Sequence, residues 1–100
     1  MEIVNLEAIT EFGKRYAHAR KPLAKWVKVT SGASWGSLVV IKQSFNSVDY
    51  KNGIYIFNIK GNDYRLIAGV RYEMQCVFVL RVLTHKQYDT EDWKHECHCY

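Results

Sequence analysis

Four side chains between positions 65 and 88 could act together on a phosphodiester: Arg65, Arg81, His85 and Tyr88. Arginine is permanently charged, and its planar fork matches phosphate oxygens. Histidine exchanges a proton near neutral pH. Tyrosine supplies a phenol that stacks on a base or donates a hydrogen bond. Together they make phosphate clamps beside a proton-transfer group, without a carboxylate pair to hold a metal. That set suits metal-free RNA cleavage, in which the 2′-hydroxyl attacks its own phosphate and cations stabilise the transition state.

Each residue also has an ordinary reading. A lone histidine at a strand end is most often a loop residue. Arg71 shares a face with Arg65, since the two are an even number apart, but it sits near a hairpin end and is expected in solvent. Arg65 is flanked by Tyr64, Leu66 and Ile67. It must pair with an acid, face solvent on an open sheet face, or face a ligand. Asp49, Asp63, Glu73 and Asp89 are the acids available in this half of the chain, and Asp89 is the expected partner.

These residues need strands to position them. GIYIFNIK (53–60), YRLIAGVRY (64–72) and CVFVLRVL (76–83) read as three consecutive antiparallel strands joined by turns at GND and EMQ. Gly61, Asn62 and Asp63 tolerate positive φ and mark a hairpin. The middle strand is therefore central. Register is the difficulty: a turn centred on Glu73–Met74 pairs Leu66 with Arg81 and Arg65 with Val82. The two arginines then face opposite sides. Only a one-residue bulge or a three-residue turn brings them to one face. After Tyr88, Asp89 or Thr90 is expected to cap a short last helix containing Trp93.

Upstream, Leu6, Ile9, Phe12 and Tyr16 recur at helical spacing behind Asn5, a reasonable N-cap. Pro22 marks the first turn of a second helix. Leu23, Trp26, Val27 and Thr30 form its inner stripe, with Lys21, Lys25 and Lys28 opposite. Residues 37–45, SLVVIKQSF, fit a strand or a helix equally well. Helices followed by a β-meander and a last helix make the fold class α+β, with N-terminal helices packed on an antiparallel sheet of three or more strands.

Composition bounds the remaining possibilities. One hundred residues, 48% hydrophobic, are expected to form one domain (1–100) and not a disordered chain. No apolar run is long enough for a membrane span, and the N-terminus does not read as a signal peptide, so the expected compartment is cytoplasmic. Cys76, Cys97 and Cys99 form no disulfide framework. The tail HECHCY holds metal-binding residue types, but crowding at 97–99 fits tetrahedral zinc poorly, so neither metal nor cofactor is expected. From Phe12 to Val48 there is no acid, while Lys14, Arg15, Arg20, Lys21, Lys25, Lys28 and Lys42 are all basic. Such a block can neutralise phosphates.

The blocks FNI-x-GN-x-YRL at 57–66 and TH-x-x-YD-x-x-x-W at 84–93 together resemble the HigB toxins, within the wider RelE/ParE superfamily. With the basic helical region and Trp35, the resemblance covers nearly the whole chain. It implies a RelE-like fold with residues 37–45 helical, and a metal-independent endoribonuclease cleaving mRNA, generally during translation. It implies mRNA and ribosome as partners, a HigA-type helix-turn-helix antitoxin, and contact with operator DNA only through the antitoxin complex. On matching positions, Arg65 would clamp the scissile phosphate, His85 transfer a proton, Tyr88 hold the substrate base, and Asp89 orient Arg65 or cap the helix. Arg81, Lys60 and Lys86 follow as phosphate binders by charge and position. The helix of Lys21, Lys25 and Lys28 is expected to face ribosomal RNA, or else the antitoxin. Two alternatives keep the fold: a ParE-like gyrase inhibitor and a non-catalytic RNA-binding module. The His85–Tyr88 pair beside arginines favours a nuclease, because binding gyrase requires no proton transfer.

Overall fold

A computed structural model of the chain describes residues 1–90. The order of elements is β1 (Glu2–Val4), α1 (Leu6–Arg15), a short 3-10 turn (Ala17–Ala19), α2 (Arg20–Ser31), α3 (Leu38–Ser44), β2 (Asp49–Lys51), β3 (Ile54–Ile59), β4 (Tyr64–Arg71), β5 (Cys76–Thr84) and α4 (His85–Thr90). The strands form one five-stranded sheet in the order β1-β5-β4-β3-β2. β1 runs parallel to β5, and the remaining pairs are antiparallel. The α+β expectation holds, with β4 central, and two short edge strands extend the meander.

The helices form where the apolar spacing requires, with differences at their ends. In α1, Ile9 is buried, while Phe12 and Tyr16 pack partly buried against the core; Leu6 stays exposed. Asn5 occupies the N-cap position but makes no side-chain cap bond. Its backbone takes a positive φ of 72°, and its amide donates instead to the Val79 carbonyl at 2.9 Å, fastening helix to sheet. In α2, Leu23, Trp26 and Thr30 are buried. Residues 38–44 are helical, as the resemblance implies, and the Ser37 side chain accepts from the Val40 N–H. Ile41 is the buried contact of α3, whereas Val39 points outward.

Strand alternation divides the sheet into two apolar layers. Tyr55, Phe57 and Ile59 of β3, Leu66 and Ala68 of β4, and Val77, Val79 and Val82 of β5 face the helices. Phe57 sits at the centre of an aromatic box: its ring lies 5.4 Å from Trp26, 5.4 Å from Phe45 and 6.2 Å from Trp35. Each such side chain contributes about 1.5–3 kcal/mol by leaving water. Tyr55 also hydrogen-bonds the Tyr72 hydroxyl at 2.7 Å, and burial, aided by that bond, pushes its phenol far above the ordinary range. On the opposite face, Ile54, Ile56, Ile67 and Leu83 form a smaller cluster, against which Leu80 and Tyr88 pack.

The turns depart from the expected ones. Lys51 pairs with Ile54, and both intervening residues, Asn52 and Gly53, have positive φ, the geometry of a type I′ hairpin. Between β3 and β4, positive φ falls on Lys60 and Gly61, not on Asn62 or Asp63. The register between β4 and β5 changes partway. Near the turn Arg71 pairs with Cys76 and Ala68 with Val79; beyond it Ile67 pairs with Arg81 and Arg65 with Leu83. Leu80 is the extra residue of a bulge. The regular pairing of Arg65 with Val82 is thereby corrected, and Arg65 and Arg81 share one face.

Candidate active site

The site is assembled where β4 starts, β5 ends and α4 begins. Thr84 and Gln87 form a reciprocal cap: the Gln87 N–H donates to Thr84 Oγ1 at 3.1 Å, and the Thr84 N–H donates to Gln87 Oε1 at 3.0 Å. This is a capping box, and it starts α4 at His85. The expected caps, Asp89 and Thr90, lie inside α4 instead, and Trp93 lies outside the described residues. The His85 N–H also donates to the Asp63 carbonyl at 2.9 Å, tying the helix start to the β3–β4 loop. Thr84→Ala is expected to lower stability by about 1 kcal/mol and to slow the chemistry by loosening His85. Urea unfolding measured beside activity checks both effects.

Arg65 is 9% exposed. Its Nη1 donates to the carbonyls of Asn62 at 2.9 Å and Tyr64 at 3.2 Å. Its Nη2 lies 3.3 Å from His85 Nδ1, and its guanidinium stands 5.3 Å from the centre of the Tyr88 ring. His85 Nε2 in turn lies 3.1 Å from Asp89 Oδ2. Asp89 thus supports the histidine rather than contacting Arg65 directly. Once α4 begins at His85, Asp89 is four residues on and shares its face.

These contacts fix a tautomer. Arginine only donates, so Nδ1 of His85 must accept; the carboxylate only accepts, so Nε2 carries the hydrogen. The neutral imidazole therefore presents a basic nitrogen beside the guanidinium, while its other nitrogen is held by a carboxylate. A proton taken at Nδ1 would create an imidazolium that Asp89 stabilises, the arrangement used to activate hydroxyl nucleophiles.

Of the sequence candidates, the structure brings Arg65, His85, Tyr88 and Asp89 into one contact chain. Arg81 is half-buried on the same sheet face, opposite Ile67. Lys86 is exposed on α4, bordering a depression with Asn62, Asp63 and His85. Lys60 is exposed in the β3–β4 loop and lies 3.6 Å from Asp63. Lys21, Lys25 and Lys28 are exposed on α2. Cys76 is buried at the start of β5; burial, with Glu2 beside it, pushes its thiol up, away from reactivity. Among the described residues no group of three or more His, Cys, Asp or Glu side chains could hold a metal ion. The HECHCY tail lies outside the described residues.

Two more residues join the site, of which the sequence reading names Asp49 as a possible partner of Arg65 and does not single out Asn58. Asn58 pairs directly with Arg65 across β3 and β4. Asp49 lines the same cleft of about 320 Å³ as Asn58, Arg65 and Tyr88. Asn58 had a readable signal, a polar residue in an apolar strand whose hairpin register faces Arg65. Asp49 is one of the four acids available to Arg65 by sequence, and it lines the cleft with that residue.

Residues 19–91 match the family model HigB_toxin, described as the RelE-like toxic component of a toxin-antitoxin system. The chain belongs to the HigB toxin family. The matched segment spans Arg65, Arg81, His85, Tyr88 and Asp89. The chain is also 27% identical over 92 residues to the mRNA interferase toxin HigB of Escherichia coli strain K12, covering 89% of this chain and 88% of that protein. It has the same identity to the mRNA interferase HigB of Shigella flexneri. A third relative, the mRNA interferase HigB of Escherichia coli O6:H1, is 23% identical over 92 residues. The resemblance of the two sequence blocks is thus borne out over most of the chain. As a HigB toxin it is one half of a toxin–antitoxin pair, so an antitoxin is among its partners. No described helix is long and apolar enough to cross a membrane.

Proposed function

We propose that this HigB toxin is an endoribonuclease that cleaves mRNA, with Arg65, His85 and Tyr88 in contact with substrate and Asp89 positioning His85. One observation carries the reading: Nδ1 of His85, the unprotonated ring nitrogen, lies 3.3 Å from a guanidinium nitrogen of Arg65, a contact that phosphate binding to the guanidinium releases. A phosphate drawn to Arg65 brings its neighbouring 2′-hydroxyl within reach of that base. His85 Nδ1 takes the hydroxyl proton, and the 2′-oxygen attacks phosphorus. The bond to the 5′-oxygen breaks, and this oxygen leaves as a hydroxyl with a proton drawn from solvent. The products are a 2′,3′-cyclic phosphate and a 5′-hydroxyl. Arg65 holds the charge that develops on the phosphoryl oxygens, and Tyr88 offers its ring to the flanking base. Arg81 and Lys86 add phosphate contacts around this centre. The chemistry requires neither metal nor cofactor.

The message is cut on the translating ribosome in the cytoplasm, and Lys28 on α2 faces ribosomal RNA. A HigA-type helix-turn-helix antitoxin neutralises the toxin, and operator DNA is met only through their complex. The names of the relatives, all mRNA interferases, support the cleavage of mRNA.

Induced expression in a bacterial host tests it. Growth should arrest, with new 5′ ends appearing inside translated reading frames. Arrest with DNA damage and intact messages would move the target to gyrase. Arrest with neither would leave an RNA-binding module.

A further inference from the structure

A second cleft, of about 510 Å³, opens between α2 and the β3–β4 loop. Its size falls in the roughly 300–1,000 Å³ range of ligand pockets. Lys21 and Lys25 enter it from successive turns of α2, and Lys60 from the loop. Trp26, Phe45 and Ile59 line it as apolar wall. Among the described residues no carboxylate lines this cleft, although Lys60 pairs with Asp63 at 3.6 Å outside it. That exposed pair is weak and costs little to break. Trp26 is 1% exposed, and its indole N–H has no hydrogen-bond partner among the described residues. Lys28, on the same helix, does not line the cleft.

The two clefts adjoin. Asn58 lines both, and the chain wall continues from Ser44 and Phe45 in this one to Asn46 and Ser47 in the cleft of Arg65 and Tyr88. A strand leaving Arg65 along this wall passes Asn58 and meets three lysines, of which Lys60 is shared with Asp63. A cationic track beside aromatic surface is the common solution for single-stranded nucleic acid: cations take phosphates, and π-faces take bases without regard to sequence.

We propose that this cleft is a subsite for a nucleotide of the single-stranded message flanking the scissile phosphate. Lys21, Lys25 and Lys60 hold its phosphate, the Phe45 side of the wall takes its base, and Asn58 sits at the junction. The proposal rests on the RNA-cleaving reading and changes the role of Lys21 and Lys25 from ribosomal to message contacts.

The test measures binding of a labelled short single-stranded RNA, over a salt series, to the full chain carrying His85→Gln. Adding Lys21→Ala with Lys25→Ala should weaken binding at least about tenfold at low salt. It should also flatten the slope of log affinity against log salt by up to about 0.7, the contribution of one phosphate contact to a single strand. Shortening the RNA on one side only should erase the difference. Both lysines are exposed, so the fold should persist, and a thermal melt checks this. Unchanged affinity and slope, with Arg65→Ala still weakening binding, would overturn the subsite and leave the nuclease reading standing. If Arg65→Ala and the lysine variant both bound like the parent, the nuclease reading would fail as well. Losses confined to message-free ribosomes, or to the antitoxin, would assign the cleft to those partners and overturn the proposal.

Discussion

Replacing Arg65 by alanine should slow RNA cleavage by roughly 10²–10³-fold or more, the cost of removing a preorganised charge aimed at the transition state. The same substitution strips the hydrogen-bond donor from the Asn62 and Tyr64 carbonyls and from His85 Nδ1. Acceptors left unsatisfied cost about 1–3 kcal/mol, so stability should fall moderately while the chain still folds. Arg65→Lys separates charge from shape. An ammonium keeps the charge but cannot fork between backbone carbonyls, histidine and phosphate. It should recover part of the stability and little of the rate. Single-turnover cleavage and urea unfolding on the same preparations check both. A lysine variant as fast as the wild type would mean the guanidinium fork is not used.

Phe57→Ala should have the largest effect on stability, about 3–5 kcal/mol. Phe57 is 1% exposed, and its ring touches Trp26 of α2, Trp35 of the α2–α3 loop and Phe45 at the end of α3. No neighbour can collapse into the space without disturbing the others. Small domains hold only about 5–15 kcal/mol in total, so this one substitution removes a large part. Phe57 lies on the helix-facing side of the sheet, whereas its neighbour Asn58 is on the Arg65 side. Folded Phe57→Ala should therefore keep much of its cleavage rate per folded molecule. Chemical denaturation gives the first quantity, and activity normalised to the folded fraction gives the second. A loss under about 1 kcal/mol would mean the aromatic box is not the centre of the core.

The three long strands are legible in the sequence because β-branched and aromatic runs end at clear turn residues. β1 is not: Glu2–Val4 has three residues, and its partner begins at Cys76, a pairing that no local pattern encodes. β2 is a different case. Asn52-Gly53 is a strong hairpin signal, and starting the meander at Gly53 splits it. The T-x-x-Q of Thr84–Gln87 likewise marks where α4 starts, before either expected cap. That start decides the site, because Asp89 meets His85 only if both lie on one helix. The bulge was legible as a requirement, since Arg65 and Arg81 could not otherwise share a face. Its position at Leu80 was not, because packing on both faces selects it. Arg65, His85, Tyr88 and Asp89 could be named from their residue types and from the two sequence blocks. The contact of His85 with Arg65 could not, because it depends on the Asp63 carbonyl anchoring the start of α4.

The most direct measurement is the rate at which purified toxin cuts a message in a defined translation mixture, wild type beside His85→Gln, with the product ends identified. Glutamine keeps a polar side chain but cannot exchange a proton near neutral pH. The expected result is a rate lower by roughly 10²–10⁴-fold, with wild-type products ending in a 2′,3′-cyclic phosphate and a 5′-hydroxyl. A His85→Gln protein cutting at the wild-type rate and leaving the same ends would contradict the assignment of His85 as the base.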